Sequence, residues 1–224
     1  MTISSEPGLR QLTTPRAAAL AGVVFAILFG AVLILIRTKM PEGISSSAEW
    51  LNSRGGGIKT ATVLMPFAGI SFLWFIGVVR DGFGRYEDRF FATVFLGSGL
   101  LFLAMMFVST AVAAGLVASN AAVADPGAHA EMIDFGKMVV LSSSKTYAVR
   151  MAAVFMISLA TIWLRTSLMP RWLSVLSYVA AVALLVAGDL SMWVMMAFPV
   201  WVLVVSGLLL SRAGVFEALR SGHD

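Results

Sequence analysis

Cysteine is absent from this 224-residue chain, and histidine occurs only as His129 and His223. Without cysteine there are no disulfides, no thiolate metal sites and no cysteine nucleophile. Neither histidine lies in an apolar run, which excludes a bis-histidine haem held between membrane helices. Charge is scarce as well: 12% of the residues are charged, against roughly 25% in soluble domains. Intramembrane proteolysis has no footing in such a sequence. A serine protease would need a His or Lys partner at depth, a zinc protease His-Glu-x-x-His, and an aspartyl protease two intramembrane acids.

Apolar residues are plentiful, at 59% of the chain, and that composition points to the bilayer. The net charge of +4 comes from basic residues at the ends of apolar runs. There they anchor and orient helices, so nucleic-acid binding is not read from them. Twelve Arg against four Lys, with abundant Ala, Val and Gly, fits a high-GC bacterial genome.

Hydropathy and breaker residues predict an all-α fold, a polytopic transmembrane helical bundle with six spanning helices in a single membrane domain, 1–224. The spans fall at about 17–36, 60–79, 90–118, 139–164, 171–188 and 192–210. A signal peptide is the rival reading of the first span. It is disfavoured because twenty apolar residues run into Arg37 and Lys39 with no Ala-x-Ala site. Gly22, Ala26 and Gly30 share one face of that span, a seam of small residues for close helix packing.

Ser46-Ser47-Ala48-Glu49 fits a capping box and predicts a short interfacial helix over about 46–52, anchored by Trp50. Gly55-Gly56-Gly57 then reads as a hinge. No Gly-Lys-Ser/Thr follows it, so it is not a phosphate loop. Pro66 is expected to loosen the start of the second span, and Pro199 to kink the last. The third span is long enough to tilt or project. Residues after Pro126 can be helical and lead into the fourth.

Six spans place both termini on one side. The turns after the second and fourth spans are basic, while the turn after the fifth has no Lys or Arg. Both termini are therefore expected in the cytoplasm, in a bacterial inner membrane.

One charge falls inside a span. Arg150 lies fifteen residues before Arg165, roughly 22 Å along a helix, which sets it below the far surface of a core about 30 Å thick. An ionisable side chain at that depth is a site candidate by default. On a helical wheel it shares a stripe with Ser143, Thr146, Val154, Ile157 and Thr161, whereas Lys145 points to the opposite side. Asp189 lies eighteen residues after Arg171, roughly 27 Å up the fifth helix, about the height a rising Arg150 side chain would reach. The expected arrangement is an intramembrane ion pair, Arg150–Asp189, direct or through water, because an unpaired charge at low dielectric is costly.

Asp125, His129, Glu131 and Asp134 are ligand-type residues at near-helical spacing. With one histidine and no cysteine, a hydrated loop helix is the favoured reading, and no metal or cofactor is expected. Asp81, Gly84 and Arg85 form the candidate cytoplasmic loop. Gly77-x3-Asp81-x2-Gly84-Arg85 resembles the loop signature between the second and third helices of major facilitator transporters. The resemblance implies that acid and base there brace neighbouring helix ends during rocking. It departs at Gly82 and Tyr86, where that family has basic residues, and in having six helices rather than twelve. Asp81-Gly82-x2-Arg85 is also similar to part of the CDP-alcohol phosphotransferase motif, but the acids that would complete its magnesium site are missing. A solvated, basic turn is the favoured reading.

Phe155-Met-Ile-Ser with Leu164-Arg165-Thr-Ser-Leu-Met-Pro170-Arg171-Trp172-Leu173 resembles a hairpin of uncharacterised six-helix inner-membrane proteins of actinobacteria. Phe198-Pro199-Val-Trp201 with Ser206 is similar to their last helix. The resemblance covers about the C-terminal third and implies an inner-membrane location, with no activity attached.

No catalytic residues emerge. The reading is a non-catalytic inner-membrane component, in contact with the lipid bilayer, that binds a partner protein or lipid or forms a homo-oligomer. The alternative is a small-solute transporter that acts as a dimer of six-helix units, with Arg150 facing an anionic group.

Overall fold

The computed structural model describes residues 14–39, 49–81, 89–119, 126–167, 169–188 and 192–221. Among these there is no strand. The elements are α1 (Thr14–Lys39), α2 (Glu49–Asp81), α3 (Arg89–Ser119), α4 (Pro126–Leu141), a π-helical segment (Ser142–Ala148), α5 (Val149–Thr166), α6 (Arg171–Ala187), a 3-10 segment (Met192–Met196) and α7 (Ala197–Ser221). Because α4, the π segment and α5 follow without a break, the bundle consists of six rods. Five of them are long and apolar enough to cross a membrane; the sixth, α6, is apolar but has 17 residues. Below, the near end is the one where α1 begins, and the far end is where α1 stops.

Two expected boundaries are corrected. No separate interfacial helix or glycine hinge precedes α2, which starts at Glu49 and runs through Gly55, Gly56 and Gly57. Residues 46–48 of that expected helix lie outside the described residues. Glycine in a helix interior costs about 1 kcal/mol relative to alanine, and close packing offsets the cost here. A Cβ at Gly57 would sit 2.6 Å from Cγ of Lys39 on α1, and one at Gly55 would sit 3.2 Å from Cγ1 of Val117 on α3. The next residue, Ile58, is buried with Ala113, Leu116, Ile133 and Val140 in an apolar cluster that ties α2, α3 and α4 together at the far end.

The prolines are the second correction. Pro66 lies on the exposed side of α2, while Met65, Ala68 and Phe72 keep its inner face continuous, so the helix passes through it unbroken. Pro199 falls in the first turn of α7, just after the 3-10 segment. A first-turn residue has no intrahelical acceptor for its N–H, so proline is tolerated there. The irregularity sits ahead of α7, not within it.

The core is aromatic. Phe72 of α2 meets Phe25 of α1 at 4.5 Å between ring centroids, Phe102 of α3 at 5.5 Å, Phe155 of α5 at 5.2 Å and Phe198 of α7 at 5.8 Å. Phe29 and Phe95 extend this group, and Trp201 links it to Trp163. All the phenylalanines named are 0% exposed. Rings bury much area with few rotatable bonds and favour offset or edge contacts. In lipid, where apolar burial alone gives no drive between helices, such packing is what holds them together.

The seam on α1 does what its small residues permit. A Cβ at Gly22 would collide with Oγ of Ser206 on α7 and lie 2.8 Å from Cδ2 of Phe75 on α2. Helix α6 is the outlier of the bundle. It lies along α5, where Thr161 and Tyr178 share a 2.6 Å hydrogen bond, and reaches α7 through Trp201 Nε1, which donates to Ser177 Oγ at 2.8 Å.

Candidate functional site

The site around Arg150 starts in the serine run before it. Ser142, Ser143 and Ser144 begin a seven-residue π-helix. Serine hydroxyls compete for backbone carbonyls, and a π turn replaces the regular i→i+4 ladder with i→i+5 bonds. The hydroxyls take up the change. Ser144 donates to the Val140 carbonyl at 2.7 Å, and Ser109 of α3 donates to the same oxygen at 3.2 Å. Ser109, Ser143 and Ser144 are all buried. The result is a polar inclusion inside a span, clamped across to α3.

Arg150 follows one residue after the return to α-helix. Its guanidinium turns back along the rod, and Nη1 donates to the Thr146 carbonyl at 2.8 Å. Cβ bonds tilt toward a helix N-terminus, so the charge is carried to the far end, away from mid-membrane. The side chain is half-buried. The Thr161–Tyr178 bond shows that its stripe of α5 faces α6 at the near end. At the far end, Val149 Cγ1 lies 2.6 Å from where a Cβ of Gly188 would stand. Arg150 and the end of α6 are therefore at one height. Asp189 itself lies outside the described residues.

Sequence reasoning missed the π segment, although the triple serine before an intramembrane arginine is its signal. It also missed Lys137, which is 7% exposed on α4 and the one charged side chain buried among the described residues. Read as an ordinary residue of a hydrated loop, Lys137 in fact lies where α4 packs on α3. One residue before it, a Cβ at Gly136 would come within 2.9 Å of Leu116 Cγ.

In the turn between α2 and α3, Asp81 is the exposed last residue of α2, and Gly84 and Arg85 lie outside the described residues. The described flanks hold something the motifs did not point to. A cavity of about 320 Å³ is lined by Arg80, Arg89, Ala92 and Thr93. Arg165, from the end of α5, stands 4.8 Å over the Phe91 ring beside it. Three guanidinium groups from three helices thus share the near end of the bundle.

Of the four ligand-type residues after the third span, Asp125 lies outside the described residues and Glu131 and Asp134 are exposed. His129 is half-buried, and its Nε2 makes no hydrogen bond. Among the described residues no three His, Asp or Glu side chains gather as a ligand set. Comparison with protein-family models, with curated proteins and with solved structures gives no match to this chain. The resemblance of its C-terminal third to the actinobacterial six-helix proteins rests on the quoted residues alone.

Proposed function

We propose that this chain is a non-catalytic component of a bacterial inner membrane, with both termini in the cytoplasm, whose helices bind a partner protein or a lipid. The observation that supports this best is the aromatic centre. Rings from α1, α2, α3, α5 and α7 touch one another along the axis where a conduit would run. Interiors packed to that density leave no path for a solute.

Vesicles holding the purified protein should therefore show no solute-dependent swelling across a panel of small neutral and anionic solutes. Gentle extraction should yield the chain with a fixed complement of protein or lipid. Saturable uptake by the vesicles, lost in Arg150→Ala, would overturn the reading in favour of transport. A lone chain stripped of lipid, yet stable, would leave the binding reading without support.

The dimeric transporter is kept as a second reading because of Arg150 and the π segment. Charges and π turns inside spans recur along solute and proton paths. In either case Arg150 is proposed to pair with Asp189, a reading supported by the direction of its guanidinium and by the Val149–Gly188 contact. The expected result is non-additivity. Arg150→Gln and Asp189→Asn should each destabilise, and together cost less than their sum by about 0.5–3 kcal/mol. Additive unfolding free energies would remove the pair.

A further inference from the structure

The cavity between α2 and α3 is the feature that the helix-bundle reading leaves unused. Arg80 occupies the last turn of α2, and Arg89 is the first residue of α3. The two positions differ electrostatically. A cation in a last turn complements the negative end of a helix dipole, whereas a cation at a first residue opposes the positive end. The first turn of α3 contains no acid to offset it. Two guanidinium groups and an opposing helix end therefore converge on one cavity of about 320 Å³.

The remaining lining fits an anion as well. Ala92 is buried and has no side chain to fill the space. Thr93 brings a hydroxyl, which donates to the Arg89 carbonyl at 2.7 Å and keeps its lone pairs and rotation. Both arginines are exposed, so a ligand can reach them without opening the bundle. The cavity sits where two apolar helices end, which is the level of headgroups in a bilayer.

We propose that Arg80 and Arg89 form a phosphate-binding site for the headgroup of an anionic lipid at the near end of the bundle. This rests on the lipid half of the function proposed above and names its chemistry. Guanidinium forks bind phosphate oxygens through paired, charge-assisted hydrogen bonds. A helix start supplies free N–H donors beside them.

The test compares three forms of the full chain, each in maltoside micelles containing phosphatidylcholine with a minority of phosphatidylglycerol. Native mass spectrometry counts the lipid retained by wild type, by Arg80→Gln/Arg89→Gln and by Arg16→Gln/Arg171→Gln. The last double variant removes as much charge from exposed residues at the same end without touching the cavity lining. Wild type and the control should retain phosphatidylglycerol over phosphatidylcholine. The cavity variant should bind it about tenfold more weakly, the factor that about 1.4 kcal/mol represents. Its thermal midpoint in lipid-free maltoside should match wild type, which shows that it folds.

A second arm separates the sources of the phosphate. Glycerol phosphate added to wild type raises the thermal midpoint if the free anion suffices, and leaves it unchanged if the acyl chains are needed; with selective lipid retention, either agrees with the site. Equal loss in the two double variants means interfacial charge alone, and overturns it. Equal retention by wild type and the cavity variant overturns the site while the lipid reading stands. No retention and no response to glycerol phosphate in wild type overturns both, as would be seen if Glu87 or Asp88 of this chain held the arginines.

Discussion

Phe72→Ala should destabilise the bundle by about 3–5 kcal/mol, the range for deleting a fully buried phenylalanine. The ring meets Phe25, Phe102, Phe155 and Phe198 at 4.5, 5.5, 5.2 and 5.8 Å, so one deletion loosens contacts to four other helices. Lipid tails cannot enter a space enclosed on all sides, and the neighbouring rings are too rigid to fill it. Phe67→Ala on the same helix is the matched control. That side chain is 58% exposed and faces lipid, so its loss should stay within about 0.5 kcal/mol. Reversible denaturation in mixed micelles reads both. A Phe72→Ala loss under about 1 kcal/mol, well short of the expected range, would mean that the ring centre is not packed as described.

Gly22→Ala should cost about 1–3 kcal/mol, the usual penalty for overfilling a packed site, although alanine is the better helix former by about 1 kcal/mol. The new methyl would meet Ser206 Oγ and Phe75 Cδ2 at once, and neither helix can withdraw without opening its other contacts. Gly30→Ala, eight residues on along the same seam, would find only Met196 Cε at 3.9 Å and should be neutral or mildly stabilising. Ser206 supplies the second half of the experiment. Its hydroxyl is buried and makes no hydrogen bond, so Ser206→Ala alone should cost little. Combined with Gly22→Ala it should restore about 1 kcal/mol or more, a coupling typical of residues in contact. Equal costs at Gly22 and Gly30 would show that the seam is not packed against α7.

These contrasts also mark what the chain makes legible. Hydropathy and terminal basic residues suffice for six rods and an all-helical class, because apolar length is a property of each segment alone. The small-residue seam is equally local, and its partners on α2 and α7 are not. Gly55-Gly56-Gly57 was misleading for that reason. Flexibility is what glycine offers in isolation, and close approach to Lys39 and Val117 is what it offers in the bundle. The proline in α2 misleads in the same way, since its effect depends on which face carries it. At Arg150 the depth and direction could be reckoned from helix geometry. The π turn above it could not, because it depends on Ser109 from another helix. The cavity at Arg80 and Arg89 belongs to two helix ends at once, and no motif spans that gap.

The rods differ greatly in length, and the surrounding lipid must follow them. Residues Gly127–Thr166 form a 40-residue rod, about 60 Å long. Beside it α6 has 17 residues, about 26 Å, less than the roughly 30 Å of an average hydrocarbon core. The bilayer therefore meets a tall wall and a low one within a single perimeter. Beside α6 it must thin, at a cost of fractions of a kcal/mol per Å of mismatch. That deformation depends on membrane thickness, so the protein's preferred surroundings are thin bilayers, and thickening the bilayer should draw α6 faces of separate copies together. A helix too short for its membrane thus acts as a sensor of the membrane's thickness.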